Sequence, residues 1–114
     1  MKKEINTFIT SYEELASNYI KYFNEANEMY EENIKELGKL NNIMRKDKDF
    51  GKKVIDKLID NDSAGTAVII SIMALEFNYR VEDAIKVLKE VSENKSYGPF
   101  SVYAKTYLMK YSKN

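Results

Sequence analysis

Residues 67 to 75, AVIISIMAL, carry no charge and only one hydroxyl. A chain with such a run must either place it in a membrane or build a core around it. A membrane-spanning helix needs about 20 apolar residues, and this run is bounded by Asp62 and Glu76, so it is too short to span. The β-branched VII would suit a buried strand. The capping candidates Asp60, Asp62 and Ser63 ahead of it, and the long stretch without a breaker, favour a helix over residues 63–77 instead. Val68, Ile69, Ile72, Met73 and Leu75 make this helix apolar nearly all round, as expected of one surrounded by others. Ala64, Ala67, Ser71 and Ala74 recur at steps of three and four, a strip along which neighbouring backbones could approach closely. This is the expected central helix.

Only four Gly and one Pro interrupt the 114 residues, and apolar residues return at helical spacing almost throughout, so the expected fold class is all-α. Tyr12, Leu15, Tyr19, Phe23, Ala26 and Tyr30 step along one face from a helix start near Ser11 or Tyr12. Ile34, Leu37, Leu40 and Ile43 or Met44 continue the step, with a break favoured at NEANEM, residues 24–29. In RKDKDFGKK, Asp49 is the expected cap of a short helix that turns Phe50, Val54, Ile55, Leu58 and Ile59 inward. Val81, Ala84, Ile85, Leu88 and Val91 mark the next helix. Pro99 suits the first turn of a last one, whose stripe is Phe100, Tyr103, Ala104, Tyr107, Leu108 and Tyr111. The expectation is one domain over residues 1–114, with five or six short antiparallel helices arranged as a HEAT-like stacked array or an irregular bundle.

Composition removes most chemistry. There is no His and no Cys, which takes away the commonest general base, the thiolate nucleophile and the usual transition-metal ligands. Lys+Arg and Asp+Glu are 18 each, so no overall field points to nucleic acid or an anionic membrane. In the basic-looking RKDKDFGKK, Asp47 and Asp49 interleave with the cations, as in a solvated turn rather than a phosphate-binding patch. Gly51 and Gly65 stand singly and form no phosphate loop. The start MKKEINTFITSYEEL lacks the apolar stretch of a signal peptide. The expectation is a chain that is not an enzyme and carries no cofactor.

Glu25, Glu28, Glu32 and Glu36 are spaced by three, four and four, which would make one helix face acidic with Glu31 on its flank. Five Glu against Lys35 give residues 25 to 36 a formal charge of −4. A solvated face is the ordinary account of such a stripe; the functional account is a surface that steers a basic protein into place. A di-metal carboxylate centre would need Glu-x-x-His pairs, and there is no His to complete them. Most of the nine Tyr fall on buried stripes, whereas Tyr22 and Tyr97 fit those stripes less well and are the better interface anchors.

The C-terminal half resembles a small bacterial helical family of unknown function with a HEAT-like arrangement. The likeness lies in SAGTAVIISIMAL, DAIKVLKEV, a Gly-containing turn and SVYAKTYLMKY, that is Ala74, Leu75, Ala84, Val87, Leu88, Glu90, Val91, Gly98, Ala104, Leu108 and Tyr111, with a weaker continuation into YEENIKELGKLNNI. Nearly all of these are packing residues. Members of that family resemble immunity proteins that neutralise a toxin delivered by a neighbouring cell, as in contact-dependent growth inhibition. The resemblance implies a cytoplasmic protein, monomeric or weakly dimeric, whose partner is a cognate toxin such as a basic nuclease domain, with no nucleic acid or membrane as partner. The residues expected to meet that partner are Tyr22, Glu25, Glu28, Glu32, Glu36 and Tyr97; a non-catalytic HEAT-like scaffold or self-associating module is the alternative.

Overall fold

The computed structural model describes residues 2–25, 28–61 and 63–112, with side chains at 5–18, 31–61, 63–98 and 100–111. The described residues form six α-helices and no strand: α1 (Lys2–Glu25), α2 (Glu28–Lys46), α3 (Lys48–Leu58), α4 (Ala64–Phe77), α5 (Val81–Glu93) and α6 (Pro99–Ser112), with a 3₁₀ turn at Lys95–Tyr97. The all-α expectation holds, and α4 is the central helix. It lies against α1, α3, α5 and α6 and buries Val68, Ile70, Met73 and Ala74 among them.

The ends of α4 are set by local polar groups. Ser63 takes the extended N-cap conformation and its carbonyl accepts the Ala67 N–H at 2.9 Å. Its hydroxyl does not cap; it shares a 2.9 Å hydrogen bond with Ser17 of α1. The Ser63 N–H is taken by the Asn61 side chain at 2.8 Å, and Asp62 lies outside the described residues. At the other end, Asn78 is left-handed with φ 53. The Tyr79 and Asn78 N–H groups return to the carbonyls of Ala74 and Leu75, a helix stop that the short polar Asn side chain tolerates.

Ala67, Ser71 and Ala74 are buried as the small-residue strip requires, but the tightest approach is at Gly65. A Cβ there would stand 2.7 Å from the Ala16 carbonyl oxygen and 2.9 Å from the Phe100 ring, so only glycine lets α1 come this near. Gly51 does the same on α3, where a Cβ would lie 2.5 Å from the Phe77 ring.

α1 and α2 run antiparallel. Tyr12 pairs with Asn41, and the buried Asn33 donates to the Leu15 carbonyl at 2.9 Å, so partners descend in α2 as they ascend in α1. The favoured break therefore falls between Glu25 and Glu28. The start of α1 differs from expectation: it begins at Lys2 rather than near Ser11, because Ile5, Phe8 and Ile9 prolong the apolar face onto the core. There Phe8 meets Phe50 edge-on with ring centres 4.9 Å apart.

Three further readings are corrected. Asp47, not Asp49, caps α3, accepting the Phe50 N–H at 3.2 Å; Asp49 sits in the first turn, where the helix dipole favours a carboxylate. On α2, of the alternatives Ile43 and Met44 it is Met44 that is buried, with Ile43 47% exposed; the departure is Ile34, 37% exposed, because α2 packs mainly on α1 and α3 and only a narrow face is covered. Tyr111 is exposed rather than buried, since α6 packs on α4 and α5 and they do not cover its whole stripe.

Candidate partner-binding surfaces

The four-carboxylate face does not exist as a single helix surface. Glu25 closes α1 and Glu28 opens the antiparallel α2, so the 3-4-4 spacing crosses a reversal of the chain. The side chains of Tyr22, Glu25 and Glu28 lie outside the described residues. Glu32 and Glu36 are exposed on α2, where Glu36 meets Lys39 at 3.1 Å in a well-solvated pair. Starting α2 at Glu28 also places Glu28, Glu31 and Glu32 near its N-terminus, with Arg45 and Lys46 in its last turn. That distribution matches the helix dipole, so part of the acidic bias stabilises α2 itself. At about 100° per residue, Glu32, Glu36 and Ile43 share one outward stripe.

A cleft of about 300 Å³ opens between α2, α4 and α6. Ile34, Leu37, Ile69 and Ile72 line its apolar part, Tyr103 and Tyr107 of α6 form one side, and Arg45 and Glu76 face each other across it. Arg45 donates from Nε to Glu76 at 2.6 Å and from Nη2 at 3.0 Å, and from Nη1 to Asn42 at 2.8 Å. The Glu76 hydrogen bond raises the pKa of the Arg45 guanidinium above its ordinary value. Behind the cleft, the fully buried Tyr12 donates to Asn41 at 2.7 Å. Burial pushes its phenol well above the ordinary range, and the positive charge of Arg45 only partly opposes this. Glu32 and Glu36 stand about 160° around α2 from Ile34, so the acidic stripe and this cleft face different directions.

Tyr97 lies elsewhere, at a second cleft of about 190 Å³. It joins Asp60 and Asn61 from the α3–α4 connection, Ala64 and Ala67 of α4, and Val87, Glu90 and Val91 of α5. Sequence reasoning named Tyr97 as an interface residue, Asp60 only as a capping candidate and Glu90 only within the family resemblance, and it missed the Arg45–Glu76 pair. Arg45 reads as part of a charged turn, and nothing local links it to a residue 31 positions away.

Among the described residues no group of three or more His, Cys, Asp or Glu side chains is placed to hold a metal ion, and no helix is long and apolar enough to cross a membrane. The chain matches no known protein family, no curated protein and no solved structure.

Proposed function

We propose that this chain is an immunity protein, a non-catalytic module that binds a cognate toxin domain and blocks it by contact. The observation that carries the reading is the outward side of α2, where Ile43, 47% exposed, shares a stripe with the carboxylates of Glu32 and Glu36. Ile43 supplies buried area, and the carboxylates, Glu32 foremost because Glu36 is paired with Lys39 on the same stripe, orient and speed the encounter with a basic protein surface. Such an inhibitor needs no reaction chemistry of its own and works in the cytoplasm, where an incoming toxin acts. The test is co-expression with the product of the neighbouring upstream gene, followed by co-purification and growth rescue. Both are expected. Glu32→Lys with Glu36→Lys should slow association and flatten its salt dependence, and Ile43→Asp should raise the dissociation rate. Absence of binding and rescue in the unaltered pair would overturn the reading.

One observation favours self-association instead. Val102 and Met109, 66% and 55% exposed, stand seven residues apart on one side of α6. Sedimentation at several concentrations separates the two: a dimer lost in Val102→Glu supports the scaffold reading, and a monomer throughout removes it.

A further inference from the structure

We propose that the Tyr97 cleft is a receptor for one arginine side chain presented by a protein partner. Its floor is apolar, made by Ala64, Ala67, Val87 and Val91. Among the described residues, Asp60 and Glu90 are the charged ones that line it, and no basic residue does. Both carboxylates are exposed, and neither takes part in the ion pairs found among the described residues. Tyr97, 39% exposed, completes the lining. A half-open cleft of about 190 Å³ has room for a single side chain rather than a helix.

Arginine matches each part of this lining. Its methylene stem covers the apolar floor, while its planar guanidinium stacks on an aromatic face and donates in a fork to carboxylates. It is also more weakly hydrated than an ammonium, so it loses less on entering a partly apolar cleft. A calcium ion would want six or more oxygen ligands, which two carboxylates do not supply. The Tyr97 backbone is held before any partner arrives. The Asn94 side chain accepts from the Ser96 N–H at 3.0 Å and from its hydroxyl at 2.6 Å, and the Tyr97 N–H reaches the Asn94 carbonyl at 3.1 Å. Gly98 then turns the chain with φ 60, a conformation that glycine adopts at no steric cost. A pre-ordered rim lowers the entropy lost on binding.

The inference rests on the reading of the chain as a protein-binding module, and it is tested without the toxin. The isotope-labelled protein is titrated with N-acetyl-arginine methylamide at millimolar concentrations and followed by amide chemical shifts, with the lysine and norleucine analogues run in parallel. The arginine analogue should give saturable shifts at Asn61, Ala64, Val87, Glu90 and Tyr97, the lysine analogue weaker ones and norleucine none. Tyr97→Ala, and separately Asp60→Asn with Glu90→Gln, should abolish the response while the remaining spectrum stays native. Shifts spread over all surface carboxylates, no saturable shift at the cleft, an equal lysine response, or persistence in both variants would each overturn the arginine assignment. None of those outcomes bears on co-purification with a toxin, and failed co-purification leaves the titration result standing.

Discussion

Arg45 at the end of α2 clasps Glu76 at the end of α4 with two side-by-side hydrogen bonds, at 2.6 and 3.0 Å. Because α2 packs mainly on α1 and α3, this pair ties it directly to the central helix across the mouth of the larger cleft. The side chains are 43% and 40% exposed, so water and salt weaken the attraction. A coupling of about 1 kcal/mol is expected, the upper end for an exposed pair because the contact is bidentate. A double-mutant cycle of Arg45→Ala and Glu76→Ala, read by urea denaturation at low and high salt, should show that coupling shrinking with salt. A coupling indistinguishable from zero at low salt would mean that the clasp contributes nothing.

Tyr12 gives the fold a weakness in alkali. Burial raises its folded-state pKa above the ordinary 10.0, so its contribution is intact below that pH and is lost as pH rises towards the folded-state value. Between 10.0 and that higher value, the unfolded chain releases a proton that the folded chain retains. Stability should therefore fall beyond about pH 10, and one tyrosinate absorbance should appear only with unfolding. Tyr12→Phe should cost about 1 kcal/mol at neutral pH through the lost Asn41 hydrogen bond, yet flatten the alkaline decline. An unchanged alkaline slope would show that other groups cause it.

Gly65→Ala should destabilise by roughly 1 to 3 kcal/mol, the usual range for overpacking. The added methyl meets the Ala16 carbonyl at 2.7 Å and the Phe100 ring at 2.9 Å, so α1 and α6 cannot both keep their places. Gly38→Ala is the control, since nothing lies within 4 Å of its added Cβ and alanine favours the helix. Thermal melting should order the variants Gly38→Ala, unaltered, Gly65→Ala from highest to lowest.

Ser71 carries a fully buried hydroxyl with no hydrogen-bond partner among the described residues. An unsatisfied buried hydroxyl costs about 1 to 3 kcal/mol. Ser71→Ala keeps the small size that the strip needs and removes that cost, so it should raise the urea midpoint with little change in slope. A lowered midpoint would mean that the hydroxyl has a partner in solution.

The sequence by itself determined the class of structure and its centre. The uncharged run at 67–75, the stripes at Leu88 and Val91 or Val54 and Leu58, and Pro99 at the head of α6 are local signals, because helical periodicity and capping act over three or four residues. Tertiary structure decided what each helix leaves open. Ile34 and Tyr111 repeat at core spacing yet are exposed, since periodicity says that a face is apolar and not how wide its covering will be. Neither the Arg45–Glu76 clasp nor the placing of Asp60 in one cleft with Glu90 and Tyr97 was legible, for each brings together residues about 30 positions apart in the chain. Their meeting depends on how closely backbones can approach, and at Gly65 and Gly51 that distance is set by the absence of a single methyl group.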